Sequence, residues 1–570
     1  MSSSDVFASK SRATIQSTER EKFPPLGQAL KVLMVWPRVP SSFWGLQHTS
    51  QLLPERAPIP PLGLITVAAL CPKEWKIRLI DQNFEAVTDD DIRDADLVMV
   101  SAMRVQIESL REVLIQTRAL GKRSMVGGPY ASSEPEALLS LADHVVVGEP
   151  DAEFQSIASD VETGWARRLY VIHNKPDVTC TPVPRFDLLN MNMYGCMAVQ
   201  FSRGCPFQCE FCDIITIYGR RPRTKQNAQM LTEFDALFRL GWRKPVFIVD
   251  DNFIGNHKLA LELAREIREW SRVHHTPFAF FTEASLNLAQ HPVLVEAMVQ
   301  ANFFAVFIGI ESPSKESLAE TKKYQNLRTD PRESVRFLQE SGLWVTAGFI
   351  IGFDSDTEGI FERQRGFIES AAIPWAMLGF LVAMPTTPLY DRMLRDGRLI
   401  QDRWRSFFDP PNFRTCLPRT VLVQGMRDTL RSIYSPSSFY DRSLRSLTYW
   451  KPRACQKPPA APPLYLIAIL LRCLWHQGIK SNYRKTWWTF LLQFLRRWAM
   501  VPMKLWGGFM LLASGYHFIK YAGEVVEHLE TELLTLEAEP SGKEGWGHSQ
   551  QTDVPTSIHR GSLTDISTPL

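Results

Sequence analysis

Three cysteines lie within one eight-residue segment, Cys205-Pro-Phe-Gln-Cys209-Glu-Phe-Cys212. Three thiolates on one short loop can bind three irons of a [4Fe–4S] cluster. The fourth iron then remains open to another ligand, which is the chemical reason for having three cysteines in place of four. This spacing predicts an iron–sulfur centre with an open coordination position.

A structural zinc site or a cluster with four cysteines is the alternative interpretation. Either would need a fourth ligand, and Cys196 and Cys180 are the candidates, since no histidine lies between His173 and His257. Cys196 would have to reach the loop from the opposite end of the strand that precedes it.

The cysteine loop follows the first strand of a series in which strands alternate with helices. The predicted strands are Val199–Phe201, Val246–Val249, Phe278–Phe281, Val306–Ile308, Val345–Ile351 and Leu378–Val382. Helical patterns separate them, among them Pro292–Gln300, Pro331–Ser341 and Ile360–Ser370. Five or six such units predict a complete or partial (β/α) barrel, with its chemistry at the carboxyl ends of the strands.

A first α/β series precedes the barrel. Short apolar runs at residues 31–36, 76–80, 97–100, 124–126 and 144–147 alternate with helical patterns, and residues 151–195 are expected to connect the two series. This order predicts a parallel, doubly wound (Rossmann-like) sheet over about 30–150. Ser101 and Gly127-Gly128 follow two of its strands, and a glycine pair there lets the backbone approach a large flat ligand, although a tight turn is the simpler explanation.

The composition is that of a folded, non-fibrous protein. Of 570 residues, 45% are apolar and 22% are charged, and the net charge of +3 is too small to indicate a nucleic-acid partner. Nine cysteines are too few for a disulfide scaffold and favour a reducing compartment, and the chain begins without the apolar segment of a secretory signal. We therefore expect a cytoplasmic protein with no conventional membrane-spanning helix.

A basic, aromatic segment covers residues 442–523. It contains thirteen Lys and Arg and six tryptophans but no Asp or Glu. Cations beside Trp and Leu, as in Trp487–Trp498, favour a helix at the inner membrane surface. The alternatives are a helical cap packed on the barrel and a site for single-stranded nucleic acid, which the small net charge disfavours.

The cysteine motif, with Phe211 just before the third cysteine, resembles that of the radical S-adenosylmethionine (SAM) enzymes. The resemblance implies that the open iron binds SAM, whose reductive cleavage gives a 5′-deoxyadenosyl radical, with electrons from a flavodoxin or ferredoxin-like donor. The family's Gly-Gly-Glu motif is replaced here by Asp250-Asp251-Asn252. The SAM-binding residues implied in this way are Phe211, Asp250, Asp251, Glu283, Glu311 and Ile350.

The doubly wound domain before such a barrel is similar to that of the B12-dependent radical SAM group. The resemblance implies a cobalamin site at Ser101, Gly127 and Gly128. The usual Asp-x-His-x-x-Gly motif is missing, so no histidine ligand to cobalt is assigned. Methylthiotransferases share this layout but carry three cysteines in the first domain, where only Cys71 stands here.

Further segments look like those of hopanoid C-2 methylases and their uncharacterised relatives. They are Pro60–Gly63, Gly148-Glu149, Tyr218–Arg223, Asp250–Asn256 and the basic, aromatic region. The resemblance implies a C-methyltransferase acting on an unactivated carbon of a hydrophobic, hopanoid-like molecule. A B12-dependent radical cyclase of the tetrapyrrole type and a non-catalytic iron–sulfur protein at a membrane are the alternatives.

We accordingly divide the chain into five segments. They are a disordered lead (1–28), a B12-binding domain (29–165), a radical SAM barrel (190–400), a helical region (401–535) and a disordered tail (536–570).

Overall fold

The computed structural model describes residues 24–400, 408–459 and 463–538. The first sheet has six parallel strands in the order β2-β1-β3-β4-β5-β6. The strands are β1 (Lys31–Trp36), β2 (Lys76–Asp81), β3 (Leu97–Ser101), β4 (Arg123–Gly127), β5 (His144–Val147) and β6 (Leu169–Val171). Alternate residues of β1 and β3 enter two separate apolar clusters, one on each face of the sheet. The predicted doubly wound sheet is therefore confirmed.

Helices cover both faces of this sheet. They are α1 (Leu62–Leu70), α2 (Asp89–Asp94), α3 (Ile107–Ala119), α4 (Pro129–Ser133), α5 (Glu136–Leu139) and α6 (Phe154–Thr163). The prediction that residues 151–195 only connect the two series is wrong, because α6 and β6 lie there. Strand β6 has three residues, too few for a period in the sequence, and it is held by pairing with β5.

The second sheet is a six-stranded parallel partial barrel. Its order is β14-β13-β12-β11-β10-β7. The strands are β7 (Met197–Val199), β10 (Val246–Ile248), β11 (Phe280–Ala284), β12 (Phe303–Glu311), β13 (Trp344–Ile351) and β14 (Ala376–Phe380). Two-residue strands β8 (Ser202–Arg203) and β9 (Arg223–Thr224) pair antiparallel and enclose the cysteine segment.

Helices alternate with the strands of the barrel. They are α7 (Ile214–Ile217), α8 (Asn227–Arg239), α9 (His257–Val273), α10 (Pro292–Gln300), α11 (Lys315–Glu320), α12 (Pro331–Ser341), α13 (Ile360–Ser370) and α14 (Pro388–Arg395). Helices α10, α12 and α13 have their predicted bounds, and α10 and α12 begin at a proline in the first turn, where no backbone N–H is needed.

The carboxyl-terminal region is helical, as predicted. It comprises α15 (Arg419–Ile433), α16 (Pro436–Tyr449), α17 (Pro463–Cys473), a π-helix (Leu474–Ile479), α18 (Arg484–Trp498) and α19 (Pro502–Ala538). The 37-residue α19 reaches the first domain, where Tyr516 Oη donates to Gln51 at 2.7 Å and Tyr521 Oη donates to the Ser41 carbonyl at 2.9 Å. Within the described ranges no helix is long and apolar enough to span a bilayer.

The predicted disordered lead and tail lie outside the described residues, apart from residues 24–28 and 536–538. The residue boundaries that we assigned to the five segments stay predictions.

Candidate active site

The cysteine loop leaves the barrel directly after β8. Gly204 makes the turn with a φ of 95°, and a Cβ there would lie 2.7 Å from the Gly219 carbonyl oxygen. Two buried amides point at the thiols, since Asn252 Nδ2 lies 3.8 Å from Cys205 Sγ and Gln325 Nε2 lies 3.6 Å from Cys209 Sγ. Amide donors of this kind suit thiolates that ligate a cluster, whose potential depends on hydrogen bonds to sulfur.

Neither of the other cysteines considered as a fourth ligand is on this loop. Cys196 precedes β7, at the opposite end of that strand, and its Sγ lies 3.2 Å from the Pro58 carbonyl oxygen. Cys180 is exposed on a 3₁₀ turn. The geometry agrees with the interpretation of three ligands and an open iron.

Ion pairs, buried on one side and half-buried on the other, hold the loop. Arg203, just before the loop, contacts Glu149 Oε2 at 2.9 Å and Asp151 Oδ2 at 2.7 Å, and both carboxylates follow β5 of the first domain. Glu210, inside the loop, accepts from Arg392 of α14 at 2.9 Å. The cluster loop is thus tied both to the first domain and to the last helix of the barrel.

Asp250 and Asp251 have different surroundings. Asp250 accepts from the backbone N–H groups of Phe201 and Ser202 at 2.7 and 2.8 Å, and it does not line the cavity described below. Our prediction of Asp250 as a SAM-binding residue therefore needs correction, since its carboxylate fixes the backbone after β7. Asp251 does line the cavity, and its buried Oδ2 has no hydrogen-bond partner among the described residues.

Burial dominates the electrostatics of these carboxylates. It raises the pKa of Asp251 to about 7, with a further contribution from the neighbouring Asp250. It also raises the pKa of Glu283 to about 8, and the carboxylates of Asp251 and Asp250 add to the effect. Because acidic side chains crowd at this wall of the cavity, the site favours a cationic ligand such as an ammonium group.

Glu311 ends β12 in a left-handed conformation with a φ of 65°. Its carboxylate contacts the ammonium group of Lys323, a buried lysine. Burial alone would lower the pKa of Lys323, but Glu311 and the neighbouring cysteines raise it. Lys323 Nζ also lies 5.8 Å from the centroid of the Phe211 ring. Sequence reasoning missed Lys323, because a lysine on a helix–loop junction has the same pattern as a solvated one.

One cavity of about 1730 Å³ joins the two domains and the carboxyl-terminal helices. It brings together eight of the nine residues predicted to bind SAM or cobalamin. They are Ser101, Gly127, Gly128, Phe211, Asp251, Glu283, Glu311 and Ile350. Since a single ligand pocket usually measures about 300–1,000 Å³, this volume suits more than one ligand.

The glycine pair at the end of β4 forms part of the cavity wall on the side of the first domain. Gly128 has a φ of 91°, and a Cβ there would lie 2.4 Å from Ser101 Oγ. At Gly127 a Cβ would lie 3.8 Å from the Val146 carbonyl oxygen, an ordinary van der Waals contact, so a methyl group fits there. This cradle fits a flat ligand in contact with backbone.

One part of the cavity wall is aromatic and aliphatic. Trp44 and Phe307 pack with their ring centroids 4.6 Å apart, and Phe304 and Trp506 pack with theirs 4.8 Å apart. Ser514 adds a hydroxyl that accepts from Trp375 Nε1 at 2.9 Å. We call this part of the cavity the apolar chamber. Its lining residues are Trp44, Phe304, Phe307, Trp375, Met377, Trp506, Phe509, Met510, Ala513, Ser514 and Phe518. Sequence reasoning did not find it, because its residues come from segments hundreds of positions apart.

Comparison with known proteins decides the family. The Radical SAM superfamily matches residues 199–363, the B12 binding domain matches residues 56–158, and a domain of unknown function (DUF4070) matches residues 387–531. An uncharacterized methyltransferase of Synechocystis sp. is 38% identical over 507 residues, which cover 88% of this chain and 94% of that protein. The hopanoid C-2 methylase of Rhodopseudomonas palustris is 34% identical over 504 residues, which cover 87% and 94%. The chain belongs to the cobalamin-dependent radical SAM family.

Solved structures show the same fold. The radical SAM methyltransferase TsrM from Kitasatospora setae, with cobalamin and a [4Fe–4S] cluster bound, has a TM-score of 0.54 at 17% identity, covering 65% of this chain and 75% of that one. The cobalamin-dependent SAM radical enzyme OxsB has a TM-score of 0.54 at 16% identity, covering 90% and 82%.

The chain is therefore a radical SAM enzyme with methyltransferases as relatives, and its family uses a [4Fe–4S] cluster, SAM and cobalamin. The side chains present fit these groups. Two of the three thiols have amide donors beside them, the unpartnered Asp251 oxygen suits an ammonium group, and the glycine pair exposes backbone to the cavity, where cobalamin would make contact.

Proposed function

We propose that this enzyme methylates an unactivated carbon of a polycyclic isoprenoid lipid of the hopanoid type. The observation that carries the proposal is the apolar chamber, which opens into the same cavity as the predicted cofactor-binding residues. A rigid hydrocarbon needs contact area and few polar partners, and the chamber offers rings, aliphatic groups and a single hydroxyl from Ser514. The likeness to a hopanoid C-2 methylase supports the same substrate class.

In this proposal Cys205, Cys209 and Cys212 bind the cluster, and Asp251, Glu283 and Glu311 face SAM together with Phe211 and Ile350. Ser101, Gly127 and Gly128 contact cobalamin. The bound groups supply the radical and the methyl group. The protein positions the substrate carbon between them and excludes water from the reacting carbon, because the chamber lining is almost entirely apolar.

The chain's own charges contribute to orientation. Lys323 stays protonated beside Glu311, so one carboxylate of the SAM end of the cavity is neutralised in place. Asp251 and Glu283 have no lysine or arginine ion pair within the described part of the chain, so they remain available to a bound cation. A flavodoxin or ferredoxin-like donor supplies electrons, and the enzyme contacts the inner membrane surface from which its lipid substrate comes.

The test is product mass. Anaerobic protein reconstituted with iron, sulfide, SAM and cobalamin is given a detergent-dispersed pentacyclic triterpenoid and a strong reductant. We expect a product heavier by one CH₂ unit, and we expect Ala513→Phe, which fills the chamber, to abolish it while SAM cleavage without substrate persists.

The matched control is the same substitution at an alanine outside the cavity lining. Ala119 is exposed at the end of α3, so Ala119→Phe should leave product formation unchanged. A tetrapyrrole offered in place of the triterpenoid and converted with unchanged carbon count would favour a cyclase. No change in any polycyclic lipid, with SAM still cleaved, would contradict the proposal.

A further inference from the structure

Helix α17 and the π-helix after it expose a continuous apolar stripe. The stripe consists of Leu464, Ile467, Leu471, Trp475 and Ile479, whose exposed fractions run from 47% at Ile479 to 81% at Leu464. Their spacing of three or four residues places them along one side of the helical segment. Five neighbouring large apolar side chains in water are costly, which indicates a partner surface.

Helix α18 extends this surface. Trp488 and Leu492 are exposed one turn apart, and Trp488 Nε1 donates to the Gly478 carbonyl at 2.9 Å, so the two helical segments adjoin. Trp487 is different. We predicted it at a membrane surface with its neighbour, but it is fully buried, and a Cβ on Gly478 would lie 2.7 Å from its ring. That part of the prediction needs correction.

Cations surround the stripe. Lys480 Nζ lies 4.9 Å from the Trp475 ring centroid, and Lys485 and Arg496 share the exposed face of α18 with Trp488. In contrast to Arg442 and Arg445, which pair with Glu369, these cations have no carboxylate partner within the described chain. The surface therefore combines exposed apolar groups with uncompensated positive charge.

We propose that this surface, the stripe together with Trp488, Leu492 and the exposed cations of α18, docks on an anionic lipid bilayer. The positive charge of this surface favours an anionic bilayer over a second copy of the chain as its partner. A second copy of the chain would bring the same cations together, since residues 442–523 contain no acid to offset them. An anionic bilayer supplies the opposite charge to the cations and an apolar interior to the stripe.

The other side of α17 connects this surface to the apolar chamber. Tyr465, Leu466 and Ile469 line the cavity, and Leu466 is 42% exposed. A lipid leaving the bilayer therefore meets a helix whose inner side faces the cavity. This step rests on the proposed lipid substrate, whereas the docking itself does not.

The experiment is sedimentation of the full chain with vesicles of phosphatidylglycerol and phosphatidylcholine. We expect Ile467→Gln, Leu471→Gln and Trp475→Gln together to weaken binding about tenfold or more, with little dependence on salt. A second variant replaces four cations by glutamine, namely Arg484→Gln, Lys485→Gln, Arg496→Gln and Arg497→Gln. At low salt it should bind the vesicles more weakly than wild type by a similar factor. At about 0.1 M salt or more, the difference in binding between this variant and wild type should become smaller.

Matched controls keep the test specific. Ile115→Gln with Val293→Gln removes apolar side chains that are 60% and 62% exposed elsewhere, and both should leave binding unchanged. Circular dichroism and thermal melting show whether each variant is folded. Wild type that stays in the supernatant at low salt, or a stripe variant that is folded and binds normally, would overturn the proposal.

A wild-type dimer that becomes monomeric in the stripe variant, without vesicle binding, would identify the surface as a contact between copies and would also overturn it. Methylation of detergent-dispersed substrate separates the two proposals. If it is normal in the stripe variant, only docking is affected, and if it is absent in wild type that binds vesicles, only the proposed substrate fails.

Discussion

At the scale of single residues, Glu283 carries the clearest pH dependence. Burial, followed by the charges of Asp251 and Asp250, raises its pKa from 4.5 to about 8. Between these values the folded chain keeps a proton that the unfolded chain has lost. The contribution to stability is therefore complete below about pH 4.5 and is lost as the pH rises through about 8.

We expect Glu283→Gln to flatten this dependence. The amide cannot ionise, so the variant should be more stable than wild type near pH 8 and similar to it near pH 5. Urea unfolding of the cluster-free protein across this range measures the effect, with Glu333→Gln on the exposed side of α12 as the control. An unchanged slope in Glu283→Gln would contradict the pKa shift. Asp251, with a pKa near 7, accounts for the dependence that remains.

At the scale of elements, the two neighbouring glycines at the end of β4 differ in the space around them. We expect Gly127→Ala to leave the fold intact, because its Cβ has space within the protein, and to reduce corrinoid uptake, because that space is the proposed ligand site. Retained cobalamin after gel filtration and the iron content of the same sample are the two measurements.

Two further glycines serve as controls for this variant. Gly121 also has a positive φ, of 67°, but no neighbouring atoms, so Gly121→Ala should cost stability without affecting corrinoid uptake. Gly128→Ala should reduce both stability and corrinoid uptake, since its Cβ would lie 2.4 Å from Ser101 Oγ. Normal corrinoid uptake in Gly127→Ala and Gly128→Ala would remove the glycine pair from the site.

Elements were predictable where their own sequence carries a period. Helices α12 and α13 repeat apolar residues over about three turns, and α10 and α12 begin at a proline, so their bounds follow from sequence. Strand β7 ends two residues earlier than predicted, because Asp250 binds the backbone of Phe201 and Ser202 and turns it out of the sheet. Residues 199–201 alone contain no pattern that predicts a hydrogen bond to a carboxylate 49 positions away.

At the scale of the whole molecule, the two domains are joined through the cluster loop. We expect Asp151→Asn to destabilise the protein by about 3 kcal/mol, because it leaves the buried Arg203 with one carboxylate in place of two. Urea unfolding measures this loss. Asp90→Asn, in an exposed pair with Arg93, should change stability by less than about 1 kcal/mol. Equal effects from the two variants would mean that the Arg203 pair does not couple the domains.

The residues that carry the chemistry of the site could be predicted from the sequence, whereas the residues that enclose the cavity could not. Motif residues such as Cys205 and Gly127 follow strands, and the parallel sheets bring strand ends to a common edge. No comparable rule predicts the apolar chamber, since Trp44, Phe304 and Trp506 meet only after both domains and α19 are packed. Apolar residues in these segments are indistinguishable in sequence from ordinary core.

The position of α19 has a consequence for the order of assembly. This helix, Pro502–Ala538, supplies one wall of the cavity and is the last described element to leave the ribosome. Domains fold in the order of their synthesis, so both sheets exist while that wall is still missing. In a chain whose α19 has not yet packed, the cavity would lack that wall, which would give a ligand as large as a corrin a wider route inward.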